Sequence, residues 1–185
     1  MKNSISKAVV FLDRDGTINE DVGYLSDPKG LVLIEGAGEA IKKLNSANIK
    51  VIVVSNQSGV GRGYYTNDDV EKVNKRLFEL LSPTGAQIDG IYYCSHHPDF
   101  KCDCRKPSTG LAKQAALEHE IDGLRSYVVG DKGSDVDLAG NIGAKGILVL
   151  TGKGTDEHKN NDIAADHVAK DLREAVDWIL DDLNA

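Results

Sequence analysis

The chain has 185 residues, a formal net charge of −7, 41% hydrophobic residues and 28% charged residues. This length suits one domain with a full hydrophobic core, and the composition is that of a soluble globular protein. The acidic balance argues against a nucleic-acid-binding surface, because phosphate contacts need a basic stripe. No apolar run approaches the length of a membrane span.

The N-terminal segment MKNSISKAVVFLD does not resemble a signal peptide, because its apolar run is short and ends in an aspartate. We therefore expect a cytoplasmic protein in a reducing environment. In that environment the three cysteines should not form structural disulfides.

Short apolar runs alternate with amphipathic segments along the chain. The pattern predicts strands at 8–12, 51–54, 91–93, 127–129 and 147–150, and helices at 36–48, 68–81, 109–119, 134–142 and 172–183. Ser134 is the predicted N-cap of the fourth helix. Strand–helix alternation indicates a three-layer α/β sandwich with a mostly parallel sheet and right-handed crossovers. Without repeats or linkers, residues 1–185 are expected to form a single domain.

Polar residues follow several of the predicted strands. In open α/β sheets, ligands bind beyond the carboxyl ends of the strands, so these positions are the candidate site. They are Asp13 and Asp15, then Ser55, Asn56 and Gln57, then Cys94, His96 and His97, and finally Asp131, Lys132 and Asp135.

The stretch FLDRDGT places Asp13 and Asp15 directly after the first strand. Two carboxylates so close repel each other and need a cation or a shared proton. With Asp131 and Asp135 expected at the same edge, the oxygen ligands suit Mg²⁺. The alternative is an Asp-Gly turn with solvated charges.

Three further residues suit a phosphoryl group. Ser55 could donate its hydroxyl to a phosphoryl oxygen, and Arg105 and Lys106 could neutralise phosphate charge. Pro107 is expected in the first turn of the following helix. The alternative for Arg105 and Lys106 is two ordinary surface cations. Glycines 59, 61 and 63 predict a flexible loop, and their spacing does not fit a dinucleotide-binding motif. The stretch Gly152-Lys153-Gly154-Thr155 lacks the spacing and the Lys-Ser/Thr pair of a Walker motif.

All three cysteines lie in a CxH…CxC pattern formed by Cys94, His96, Cys102 and Cys104. Three cysteines and one histidine can make a closed tetrahedral zinc site in the loop 94–104. Free thiols or a strained Cys102–Cys104 disulfide are the alternatives. His97 breaks the symmetry of the pattern and is the poorer ligand candidate.

The ordered set of Asp13-Arg14-Asp15-Gly16-Thr17, Ser55-Asn56, Lys106 and Gly130-Asp131-Lys132…Asp135 resembles the aspartate-nucleophile phosphatases of the haloacid dehalogenase superfamily. The resemblance implies that Asp13 attacks phosphorus and that Asp15 acts as acid and then as base. It also implies that Ser55 and Lys106 neutralise the phosphoryl oxygens. Mg²⁺ would bind the Asp13 and Asp131 carboxylates and the Asp15 main-chain carbonyl, with Asp135 as an orienting residue.

The CxH…CxC pattern running into Arg105-Lys106-Pro107 is similar to the branch with heptose bisphosphate and histidinol-phosphate phosphatases. The segments 21–24, 56–63 and 91–98 look closest to the heptose members, which implies a small-molecule sugar bisphosphate as substrate. Histidinol phosphate is the alternative substrate. The branch implies no cap domain, a site roofed by loops, and substrate contacts from Asp21, Tyr24, Asn56, Gln57, Ser58, Arg105 and Lys132.

A polynucleotide 3′-phosphatase and a catalytically inactive binding module are the remaining alternatives. The acidic balance argues against the first, and the presence of all the catalytic residue types argues against the second. We expect a monomer that binds neither nucleic acid nor membranes.

Overall fold

A parallel sheet of six strands in the order β3-β2-β1-β4-β5-β6 forms the centre of the computed structural model, which describes residues 8–119, 121 and 125–185. The strands are β1 (Val9–Leu12), β2 (Lys50–Asn56), β3 (Gly90–Cys94), β4 (Ser126–Gly130), β5 (Lys145–Val149) and β6 (His167–Ala169). The predicted α/β sandwich with a parallel sheet is confirmed. Residues 1–7, part of the segment in which we expect no signal peptide, lie outside the described residues.

Seven α-helices connect or flank these strands in the described part of the chain. They are α1 (Ala37–Ser46), α2 (Ser58–Gly61), α3 (Asn67–Leu81), α4 (Gly110–Glu118), α5 (Gly133–Ile142), α6 (Gly154–Asn160) and α7 (Leu172–Asn184). Short 3₁₀ helices lie at Pro28–Gly30 and Ser82–Thr84. No helix within the described ranges is both long and apolar enough to cross a membrane.

The central strand β1 is buried on both faces because its side chains alternate between two hydrophobic cores. Val10 and Leu12 face the larger core, which α1, α3 and α7 cover. Val9 and Phe11 face the smaller core, which α4 and α5 cover. The three layers follow from this alternation.

Strand register brings the candidate site together. Leu12, the last residue of β1, lies opposite Val53 of β2 and Val129 of β4, each within three residues of the carboxyl end of its strand. The Asp13 N–H continues the ladder by donating to the Val129 carbonyl at 2.9 Å. Residues after β1, β2 and β4 therefore meet at one edge.

Three local predictions were wrong. Helix α5 begins at Gly133 with Lys132 as N-cap, because the Asp135 carboxylate accepts from the Lys132 N–H at 3.2 Å, so Ser134 lies inside the first turn. Pro107 precedes α4 by three residues, in a turn closed by the Ser108 N–H and the Arg105 carbonyl at 2.8 Å.

The third wrong prediction concerns the glycine-rich segment, because Ser58–Gly61 forms α2 rather than a flexible loop. A Cβ atom at Gly61 would overlap the backbone of His97. This glycine therefore allows α2 to pack against the loop of the CxH…CxC pattern.

Candidate active site

Two carboxylates, those of Asp13 and Asp135, contact one buried lysine at the carboxyl edge of the sheet. The Lys106 Nζ atom lies 2.8 Å from Asp13 Oδ1 and 2.7 Å from Asp135 Oδ1, and it donates to the Val54 carbonyl at 2.6 Å. Lys106, Asp13, Asp131 and Asp135 are all buried. The fold thus brings together residues from the end of β1, the loop before α4, the end of β4 and the first turn of α5.

One carboxylate oxygen from each of Asp13, Asp131 and Asp135 lies within 4.8 Å of the other two. Burial and the neighbouring Asp13 raise the pKa of Asp131 to about 7. Its Oδ2 accepts from the Lys153 N–H at 2.8 Å, whereas its buried Oδ1 accepts no hydrogen bond and has the Lys132 Nζ atom 3.4 Å away. A buried carboxylate oxygen left in this state fits a divalent cation.

Two glycines allow the backbone to pass close to Asp131. Gly16 has a φ of +89°, and a Cβ atom there would overlap the Asp131 carboxylate. Gly152 has a φ of +53°, and a Cβ atom there would also overlap the Asp131 carboxylate. The glycine of the DRDG motif therefore leaves room for the carboxylate that completes the cluster.

The Asp15 carboxylate lies outside this cluster of three carboxylates. It accepts from the Arg14 guanidinium at 2.9 and 3.1 Å, from Asn19 Nδ2 at 2.9 Å and from Gln57 Nε2 at 2.8 Å. Its side chain remains 15% exposed. The two carboxylates of the motif thus have separate surroundings.

Ser55 and the two residues after it form bonds inside the site. Gln57 Nε2 donates to Ser55 Oγ at 2.8 Å, and Gln57 Oε1 accepts from the Tyr65 hydroxyl at 2.9 Å. The Asn56 amide bonds to the N–H and the carbonyl of Lys106, at 3.0 and 3.2 Å. The amides of Asn56 and Gln57 therefore support Lys106, Ser55 and Asp15.

The remaining predicted substrate contacts lie around the site. Lys132 Nζ lies 3.4 Å from Asp131 and 3.6 Å from Asp21, and the negative charges around it raise its pKa although burial opposes this. Arg105 has a buried Nη1 atom without a hydrogen-bond partner in the structure. Ser58 is half-buried at the first turn of α2.

Tyr24, another predicted contact, is exposed and packs edge-on against Tyr64 with ring centroids 4.7 Å apart. This pair joins the loop after β1 to the loop after α2. Tyr64 was not predicted, since nothing in its local sequence distinguishes it from an ordinary surface tyrosine.

The four residues of the CxH…CxC pattern form a second cluster. The Cys104 Sγ atom lies 3.0 Å from Cys94 Sγ, 3.5 Å from Cys102 Sγ and 3.2 Å from His96 Nδ1. All three cysteines are free, so the alternative Cys102–Cys104 disulfide is not formed. One tetrahedral metal ion fits this set of soft ligands.

The two adjacent histidines of this segment differ in their positions. His96 stacks on Phe100 with ring centroids 4.9 Å apart. His97 lies outside the cluster, where its Nδ1 faces the Asp99 N–H at 3.2 Å. Cys94 ends β3 and Cys104 directly precedes Arg105, so the cluster fixes both ends of the loop that carries Arg105 and Lys106.

Comparisons with known proteins find relatives that cover most of the chain. A family model described as "HAD-hyrolase-like" matches residues 103–175. The D-glycero-D-manno-heptose-1,7-bisphosphate 7-phosphatase of Thermosynechococcus vestitus is 40% identical, over 94% of this chain and 95% of the relative. The D-glycero-beta-D-manno-heptose-1,7-bisphosphate 7-phosphatase of Escherichia coli is 37% identical, over 96% and 91% of the two chains.

A solved structure shows the same fold. The D,D-heptose 1,7-bisphosphate phosphatase from B. bronchiseptica, complexed with magnesium and phosphate, superimposes with a TM-score of 0.88 and 29% identity, over 94% of this chain and 98% of that one. By its similarity to these relatives over nearly their whole length, the chain belongs to the D-glycero-D-manno-heptose-1,7-bisphosphate 7-phosphatase family of haloacid dehalogenase-like hydrolases.

Proposed function

We propose that the chain removes the 7-phosphate of D-glycero-D-manno-heptose 1,7-bisphosphate in a Mg²⁺-dependent reaction. The observation that carries this proposal is the buried Lys106–Asp13 ion pair beside an Asp131 oxygen that lacks a hydrogen bond. A nucleophile, a phosphate-neutralising cation and a cation site thus lie together. The substrate is taken from the names of the relatives.

The reaction proceeds in two displacements at phosphorus. An Asp13 carboxylate oxygen attacks phosphorus while the bond from phosphorus to the sugar oxygen breaks, and Asp15 gives its proton to that oxygen. A water molecule then attacks the aspartyl-phosphate and gives a proton to Asp15. The bond between Asp13 and phosphorus breaks, which releases inorganic phosphate and restores both aspartates.

Ser55 and Lys106 offset the charge on the transferring group. The Ser55 oxygen accepts from Gln57, so its own proton is free to donate to a phosphoryl oxygen. Lys106 contributes a positive charge in a site that excludes water, where such a charge has a large effect. Asp135 holds Lys106 in place at 2.7 Å.

The carboxylates of Asp13 and Asp131, with the Asp15 main-chain carbonyl, would hold Mg²⁺. When bound, the ion supplies positive charge to the carboxylates and to the phosphoryl oxygens they approach. The buried and unbonded Asp131 Oδ1 fits this role.

A structural Zn²⁺ ion would be held by Cys94, His96, Cys102 and Cys104.

Arg105 and Lys132 suit the second phosphate of the substrate, because each is a cation beside the site. The proposed substrate-binding surface also includes Asp21, Tyr24, Asn56, Gln57 and Ser58. The side-chain amides of Asn56 and Gln57 contribute through the hydrogen bonds described above. The product belongs to the synthesis of ADP- or GDP-heptose for lipopolysaccharide, in a monomeric, single-domain cytoplasmic enzyme.

Release of phosphate from the heptose bisphosphate and from histidinol phosphate tests the substrate. We expect a strong preference for the bisphosphate. A preference for histidinol phosphate would overturn the proposed substrate. Asp13→Asn should abolish turnover and leave the circular dichroism spectrum unchanged, since the two side chains have nearly the same shape. Full activity in this variant would refute the mechanism.

A further inference from the structure

The arginine between the two aspartates of the DRDG motif is almost completely buried, with 1% of its surface exposed. Its Nη2 atom donates to Asp15 Oδ1 at 3.1 Å and to Asp15 Oδ2 at 2.9 Å, and its Nε lies 3.3 Å from Oδ1. A guanidinium is costly to bury unless each donor is paired. The Arg14 guanidinium thus pairs with the carboxylate of Asp15.

A residue from a distant helix fixes the other side of Arg14. Its Nη1 donates to Asn74 Oδ1 at 3.0 Å, and Asn74 lies buried in α3 beside the core residue Val73. The Arg14 carbonyl also accepts from the N–H groups of Thr17, Ile18 and Asn19. Both the backbone and the guanidinium plane of Arg14 are therefore held.

Two amides complete the surroundings of the Asp15 carboxylate. Asn19 donates to Oδ1, and Gln57 donates to Oδ2 and is itself fixed by the Tyr65 hydroxyl. A carboxylate with donors on both oxygens has one orientation available. The Asp15 side chain remains 15% exposed, so a leaving group could reach it.

We propose that Arg14, anchored by Asn74, is the positioning residue for Asp15 and sets the direction in which Asp15 transfers its proton to the leaving oxygen. This inference rests on the proposed function, in which Asp15 is the acid. A general acid works only within hydrogen-bond reach of the atom it protonates. Small displacements of a reacting group have large effects on rate.

The leaving group provides the test, because only a basic leaving oxygen needs a proton. The variants Arg14→Gln and Asn74→Ala are compared with wild type through kcat/KM on the heptose bisphosphate and on 2,4-dinitrophenyl phosphate, with Mg²⁺ present. The first substrate releases an alcohol and the second releases a stable phenolate. Since kcat/KM ends at release of the leaving group, it does not include hydrolysis of the aspartyl-phosphate.

We expect Arg14→Gln to lose at least about 10-fold more kcat/KM on the bisphosphate than on the aryl phosphate, in line with the range for general acid catalysis. Arg14→Lys, which keeps the charge but not the planar fork, should fall between Gln and wild type. The control is Arg76→Gln, also an arginine paired with a carboxylate but exposed on α3, which should match wild type.

An equal loss on both substrates, or no loss, overturns the proposal. If thermal unfolding shows that Arg14→Gln does not fold, Asn74→Ala and Arg14→Lys undergo the same comparison with the same criterion. Failure of the proposed function is distinct, because it is seen in the wild type on the bisphosphate and in Asp13→Asn before any Arg14 variant is measured.

Discussion

Lys106 Nζ lies 2.8 Å from Oδ1 of Asp13, although 93 positions separate the two residues in the chain. Burial alone would lower the pKa of Lys106, but the carboxylates of Asp13 and Asp135 outweigh it and raise that pKa. The lysine is therefore a permanent cation at the proposed nucleophile. It serves the fold as well as the reaction, since it neutralises a buried acidic cluster.

Replacing Lys106 by Met should affect both roles. Turnover should fall by about 100-fold or more, because a positioned charge that offsets the transition state is lost. The free energy of unfolding should fall by about 3–5 kcal/mol, since Asp135 then loses its buried partner. Steady-state kinetics and denaturant unfolding measure the two effects.

The control for this variant is Lys113→Met, which replaces an exposed lysine on α4. It should match wild type in both measurements. Wild-type turnover in Lys106→Met would contradict the proposed role, whatever the change in stability.

The position of the catalytic residues could be predicted from the sequence, because parallel strands end at one edge. Asp13 and Asp131 follow β1 and β4, and Ser55 lies near the end of β2; these strands are adjacent in the sheet, so strand identity alone placed the three residues together. Lys106 does not follow a strand, and its place depended on the family resemblance. Its position in the structure comes from Asn56, which bonds to its backbone.

The contacts of Arg14 could not be predicted, since its partner Asn74 is 60 positions away on a helix. A polar residue beside core positions of an amphipathic helix was the only local signal. Strand β6 was missed because a three-residue edge strand is too short to show periodicity. The start of α5 depends on the Asp135 side chain, which also takes part in the site.

Asp131 should lower the stability of the metal-free protein as pH rises from about 4 to about 7. The ordinary pKa of an aspartate, 3.8, applies to Asp131 in the unfolded chain, whereas burial and Asp13 raise its folded pKa to about 7. Between these values the native state keeps a proton that the unfolded state has released, so raising the pH favours unfolding. Thermal melts with a chelator across this range measure the effect.

Mg²⁺ should reverse this trend, because it replaces the proton on Asp131. Its stabilising effect on the melting temperature should therefore grow between pH 5.5 and 8. Asp131→Asn should show a flatter stability profile and no gain from Mg²⁺, and the exposed Asp137→Asn should resemble wild type. A Mg²⁺ effect independent of pH would contradict the assignment.

Removing one ligand of the cysteine cluster should remove zinc. Purified wild type should contain about one zinc per chain by elemental analysis, and Cys102→Ser should contain far less. The variant should melt at a lower temperature and lose activity, because Cys104 leads directly into Arg105 and Lys106.

His97→Ala is the matched control for this cluster, since it removes an adjacent imidazole that does not face the sulfur atoms. It should keep its zinc and its melting temperature. Wild-type protein free of zinc, or zinc loss in His97→Ala equal to that in Cys102→Ser, would refute the ligand set.

Arg105 should determine the preference for a second phosphate. Its buried Nη1 has no hydrogen-bond partner in the structure, so an anion that reaches it gains a charge-assisted bond without displacing a protein partner. Arg105→Gln should raise KM for the bisphosphate about 10- to 100-fold, the range for one hydrogen bond to a charged group. For the heptose 7-phosphate, which lacks the second phosphate, KM should change much less.

The comparison of the two substrates separates recognition from general damage to the loop. Lys101→Gln removes an exposed cation from the same loop and should leave both KM values unchanged. If Arg105→Gln weakens both substrates equally, Arg105 contacts the reacting phosphate or supports Lys106 instead. In that case Lys132, which already lies 3.4 Å from Asp131, becomes the residue to replace in the same comparison.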